Sequence, residues 1–217
     1  MSAAVVRLAY LYASILKKFS LTEELAQIKN VNKDLTFSFD FPDSIVLSEK
    51  ASREYYDLFT RYIRDRHPTS AMSEYDIDDF RAYLFAQNRI LSVRDAEGKL
   101  VAASSIDVQY EPGLHRAMHF FYAFYDRGSE WIDRRLGTFL SIKGIELAQE
   151  QKMEHIYIGA GAKGSAKLGY KFQYPGLETY ANGKWESYDP AQHKQGPDHS
   201  AWLSQNTITL AQPVTEP

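Results

Sequence analysis

The chain is 217 residues long, 44% hydrophobic and 24% charged, which fits one globular domain or one domain with a sizeable extension. A formal net charge of −3 excludes a general nucleic-acid coat or a membrane-surface protein, so any RNA contact must come from a local basic patch. The absence of cysteine excludes disulfides, thiolate nucleophiles, zinc–cysteine sites and iron–sulfur clusters.

The N-terminal "AAVVRLAYLYASIL" lacks a basic region ahead of it, carries Arg7 inside and has no clear small-residue cleavage site. It is also too short to span a bilayer. A buried helix over 3–19 and a cytoplasmic protein are the expectations. A second helix fits 22–30, with Thr22 and Glu23–Glu24 as its start signal. "LTFSFDF" (35–41) alternates like a strand and Pro42 stops it. Over 48–67, Tyr55, Leu58, Phe59, Tyr62 and Ile63 form a helical stripe, and a further helix fits 76–86.

"RILSVRD", a turn at "AEGK" and "LVAASSIDVQY" predict a hairpin, and "HRAMHFFYAFY" (115–125) a third strand of the same meander. The segment 131–150 reads as a long helix, and "HIYIGAG" (155–161) as a buried strand. In "KLGYKFQYPGLE", Tyr170, Phe172 and Tyr174 alternate with Lys171 and Gln173, which predicts a strand over 170–174. Of the six histidines, His115 and His119 come nearest to a metal-site spacing, but they bracket a run that reads as a strand; no metal is expected.

A meander, a long helix, a buried strand and a further strand suggest an α+β fold of the acetyltransferase type, with a mixed, mainly antiparallel sheet flanked by helices. The resemblance to that fold implies an acyl donor where the strand before the long helix splays from its neighbour, its phosphates at the helix N-terminus. The acetyltransferase loop there is Arg/Gln-x-x-Gly-x-Gly/Ala. Here "RRLGTF" supplies Arg134 and Gly137 but puts Phe139 where a small residue should stand. A bulky ring at that position is expected to obstruct a pyrophosphate, which makes acetyl-coenzyme A the second choice of donor.

Three ordered blocks resemble the catalytic region of the leucyl- and arginyl-tRNA–protein transferases. They are "LFTRYIRDRHPTSAMSEYDIDDFRAYL" (58–84), then "LVAASSIDVQY" with "FFYAFYD" and "RLGTFLSIKGIELAQEQKM", and last "HIYIGAGAKGSAKLGYKFQYPGLE". Together they span about residues 55–180, within an expected transferase domain over 51–190. An N-terminal extension (1–50) and a C-terminal tail (191–217) complete the expected organisation. The chain departs from the family in lacking its N-terminal cysteines, in Ala160, Gly161 and Ala162, in Leu168 and in the displaced Pro175.

The resemblance implies aminoacyl-tRNA as co-substrate, with no other cofactor, and a protein N-terminus or a small amine as acceptor. An aminoacyl ester is already activated, so the enzyme must align amine and carbonyl, stabilise an oxyanion and move a proton to the ribose oxygen. Lys171 is the candidate cation, Glu178 its orienter or a ligand for the donor amine, and Asp107, in an apolar strand, a holder of an amine or a proton relay. Arg66 and His67 are candidates to clamp an acceptor carboxylate, with Met72, Tyr122 and Tyr170 beside them. Arg61, Arg64, Arg134, Arg135, Lys163 and Lys167 are candidates for tRNA phosphates. Two other readings stay open: an acetyltransferase and a non-catalytic module that kept the fold.

Overall fold

Helix α1 (Glu23–Val31) starts where Thr22 accepts a hydrogen bond from the Leu25 amide, and it buries Leu25 and Ile28. Strand β1 (Thr36–Asp40) and a short turn of helix, α2 (Asp43–Val46), lead into α3 (Glu49–Arg66), capped by Ser48. The predicted stripe of α3 is its buried face. Asp76 and Asp79 form a reciprocal capping box at the start of α4 (Ile77–Phe85), which satisfies amides that have no partner inside the helix. The computed structural model describes residues 21–109, 116–159, 169–181 and 184–188; the expected helix over 3–19, Lys163, Lys167 and the tail lie outside them.

The predicted meander is present as β2 (Arg89–Arg94), β3 (Leu100–Gln109) and β4 (Ala117–Tyr125). Helix α5 (Leu136–Glu150) then crosses to β5 (His155–Tyr157). The sheet order is β1-β2-β3-β4-β5, antiparallel throughout except for the parallel pair β4–β5. This is the mixed, mainly antiparallel, acetyltransferase-like architecture expected. A separate hairpin, β6 (Glu178–Ala181) with β7 (Lys184–Ser187), follows.

Two apolar clusters cover the two faces of the sheet. One joins α1 and α5 to Leu91, Val93, Ile106 and Met118; the other joins α3 and α4 to Ile90, Ala103 and Phe124. Helix α5 lies close against β4 because Gly144 faces the Phe120 ring, and a Cβ at that glycine would stand 1.8 Å from the ring.

Two expectations are corrected. The helix expected from 131 begins at Leu136: a 3-10 turn (Ile132–Arg134) precedes it, and Arg135 adopts a left-handed backbone (φ 52°) that no helix can continue through. Residues Gly169–Gln173 form a 3-10 turn and not a strand. Three residues per turn bring Lys171 and Tyr174 to one side, where Lys171 reaches β5 and Tyr174 is buried in the core. The strand expected over 155–161 is described only as His155–Tyr157.

Candidate active site

Strands β4 and β5 are paired only from Ala117↔His155 to His119↔Tyr157, whereas β4 continues to Tyr125. Beyond His119, β4 has no strand partner on that side among the described residues. The β3–β4 register shifts at the same level: Ser105 faces Tyr122 and Ile106 faces Phe120, which leaves Phe121 as an extra residue in β4. Such a bulge re-aims side chains, and Phe121 is turned out, 49% exposed.

A cavity of about 600 Å³ occupies this region. Its walls come from the end of α3 (Tyr62, Arg66, His67), from β4 and the residues after it (Phe121 to Ala123 and Tyr125 to Arg127), from the approach to α5 (Trp131, Ile132, Arg135 to Thr138), and from Tyr170 and Lys171. Six residues expected at the site therefore meet here: Arg66, His67, Tyr122, Arg135, Tyr170 and Lys171.

Lys171 donates a 2.6 Å hydrogen bond to the carbonyl of Ile158, the residue after β5. Burial lowers its pKa to about 8, because removing water disfavours the ammonium. The Arg66 guanidinium enters the cavity from the last turn of α3, and its buried Nε has no hydrogen-bond partner among the described residues. A buried donor without an acceptor carries an unmet desolvation cost, and a guanidinium has further N–H groups with which it can bond a carboxylate. His67 lies beside it, its ring 6.1 Å from Tyr122 and 5.8 Å from Tyr62. Burial raises the phenol pKa of Tyr62 and Tyr122, so these hydroxyls stay protonated and can donate.

Other expected residues lie apart from the walls. Asp107 faces His119 across the β3–β4 pair, and burial lowers the His119 pKa while Asp107 opposes that shift. Glu178 starts β6, half-buried; Met72 packs against the α3–α4 cluster; Arg64 is exposed on α3. Arg134 bonds Asn32, the Val31 carbonyl and Asp34, which fastens α1 to the turn before α5. Arg61 stands 3.8 Å from Asp126, while Arg135, itself a wall residue, pairs with Glu24 and donates to Gln173 at 3.1 Å.

Phe139 corrects the expectation about the helix start. It is 3% exposed and belongs to the core, so it does not crowd the N-terminus of α5. The ring that does is Tyr125, which would stand 2.8 Å from a Cβ on Gly137. Sequence reading missed Tyr62, Phe121, Tyr125, Trp131 and Thr138 as wall residues. The available signal was the "FFYAFYD" run, whose seven residues cannot all belong to one alternating strand face. Among the described residues no group of three or more histidines or carboxylates suits a metal ion, and no helix is long and apolar enough to cross a membrane.

Residues 54–181 match the family described as arginine-tRNA-protein transferase, C terminus. The aspartate/glutamate leucyltransferase of Dinoroseobacter shibae is 30% identical over 154 residues, 67% of this chain and 53% of that protein. That of a Jannaschia species is 32% identical over 148 residues, 66% of this chain and 50% of its own. The chain thus spans about half the length of the curated relatives it matches. A solved C-terminal domain of a putative lysylphosphatidylglycerol synthetase from Agrobacterium fabrum shares the fold, with a TM-score of 0.53 at 16% identity over 75% of this chain and 49% of that one. With more than half of its length matched, the chain belongs to the family of the arginine-tRNA-protein transferase C-terminal region.

Proposed function

We propose that this chain moves leucine from leucyl-tRNA to proteins that begin with aspartate or glutamate. The leucyl donor and acidic acceptor are carried over from relatives named aspartate/glutamate leucyltransferases. The observation that carries the reading is the cavity beside the end of β4, which a desolvated lysine and an incompletely bonded arginine both line.

The reaction is direct aminolysis. An α-amine with a pKa near 7.7–8.0 supplies a useful neutral fraction at physiological pH. Its nitrogen bonds to the ester carbonyl carbon, the bond from that carbon to the ribose oxygen breaks, and that oxygen leaves with a proton. That proton is the one the neutral amine gives up as its nitrogen becomes an amide, so none is left over. Lys171 supplies a cation to the oxygen that gains charge, in a site where low water content strengthens the attraction. Arg66, with His67 beside it, takes the acceptor's side-chain carboxylate. Trp131, Ile132 and Leu136 give the leucyl side chain an apolar wall.

Because the ester is already activated, the chemistry needs no cofactor beyond the charged tRNA, and a charged-tRNA donor points to the cytoplasm. Acetyl-coenzyme A fits less well: the Tyr125 ring overlies the first turn of α5, where a pyrophosphate would take helix amides. The test is a mixed pool of tRNAs charged with radiolabelled amino acids, offered to peptides beginning with Asp, Glu or Asn and to small amines. Leucine on the Asp and Glu peptides is expected. Acetyl transfer from acetyl-coenzyme A, with no tRNA-dependent product, would overturn the proposal.

A further inference from the structure

Large apolar side chains exposed on a protein surface are informative when they gather. Phe121, Ile132 and Tyr170 are 49%, 53% and 43% exposed, and all three line the same cavity. They come from three separate elements: the β4 bulge, the turn before α5 and the 3-10 turn that carries Lys171. Two other exposed rings differ in having a cation over them, Lys143 on Phe37 at 4.2 Å and Arg89 on Phe41 at 3.7 Å.

Among the described residues, two of the arginines that line the cavity and two that lie outside its lining are answered by acids. Arg127 pairs with Asp65, Arg135 with Glu24, Arg134 with Asp34, and Arg61 lies near Asp126. A surface that tracked many phosphates would need these cations to give up their partners. Apolar side chains need no such exchange, because every nucleobase has a face that can stack.

Resting on the leucyl-tRNA reading above, we propose that Phe121, Ile132 and Tyr170 form a stacking platform for the unpaired nucleotides at the donor's 3′ end. The platform grips bases without reading their identity, and it holds the strand so that the terminal ribose reaches Lys171. Donor binding therefore depends on base stacking more than on phosphate charge.

The test uses the full chain and a fluorescent five-nucleotide RNA ending in adenosine, beside the same RNA with its last base removed, both read by anisotropy. The intact RNA should bind about tenfold tighter than the abasic one. Phe121→Ala should erase that difference, and Phe121→Trp should keep it. The salt dependence, as log K against log salt, should be shallower than about 2, which corresponds to fewer than three phosphate contacts. Equal binding of the two RNAs, no binding of the intact one, or a steeper salt slope would overturn the platform. Because binding is read without transfer, a chain that shows this pattern but moves no leucine contradicts the functional proposal alone. A chain that moves leucine but ignores the missing base contradicts the platform alone.

Discussion

The junction between α1 and α5 and the cavity beside it are both built around buried or half-buried polar groups, yet they treat them in opposite ways. At the junction Asn32 and Arg134 bond each other and the backbone around them. Asn32 is fully buried, donates to the Ile28 and Arg134 carbonyls at 2.9 and 2.7 Å, and accepts from Arg134 Nε at 3.1 Å. In the cavity the Arg66 Nε has no acceptor among the described residues, and Lys171 is desolvated until its pKa falls to about 8. Satisfied groups hold an element in place; an arginine with an unmet donor can still bond a ligand, and a lysine whose pKa burial depresses marks a candidate reactive position.

Substitutions in the two regions should separate accordingly. The largest effect is expected at Lys171. Lys171→Met keeps the apolar stem and removes the charge, and kcat should fall by about 2.7–4 kcal/mol, comparable to one lost oxyanion donor. Stability should barely change at neutral pH, as chemical denaturation will read. Its pH dependence has a definite sign. Burial lowers the folded-state pKa from 10.5 to about 8, so the unfolded chain holds this proton more tightly. Stability should therefore rise between about pH 8 and 10.5, and Lys171→Met should lack that rise.

Next comes Arg66→Ala, which should raise the acceptor's KM by about 1.5–3 kcal/mol and leave the donor's nearly unchanged. Steady-state kinetics with each substrate varied in turn will distinguish this from misfolding, which would weaken both. The smallest effect lies on the other side of the comparison. Asn32→Ala should cost about 1–2 kcal/mol of stability, because it strands the groups that Asn32 bonds. Transfer per folded molecule should stay at the wild-type level; a loss of rate without a loss of stability would make the junction part of the site.

Much of the fold was legible because long amphipathic segments state their own period. The stripe from Tyr55 to Ile63, the helix start at Thr22 and the meander over β2–β4 all follow from local chemistry. Residues 170–174 did not, since five residues of alternating aromatics suit a strand and a 3-10 turn alike. What decides is tertiary: Lys171 bonds the Ile158 carbonyl while Tyr174 is buried. Phe139 was assigned to the donor's path because sequence spacing does not reveal which way the first turn of α5 faces. That depends on Arg135, whose left-handed backbone resets the helix start. Lys171 and Arg66 were legible as candidates, but their shared cavity was not, because a one-residue bulge at Phe121 sets the outlook of β4.

The central claim is that the buried Lys171 ammonium takes part in the chemical step. It is tested most directly by single-turnover transfer from saturating leucyl-tRNA, comparing the wild-type chain with Lys171→Met from pH 6.5 to 10. Saturation hides any donor-affinity defect, and the ratio of the two rates cancels the acceptor amine's own titration. With a pKa of about 8, the ratio should be large and level below that pH and decline toward one above it. A ratio near one throughout, or a large ratio that does not change with pH, would contradict the account.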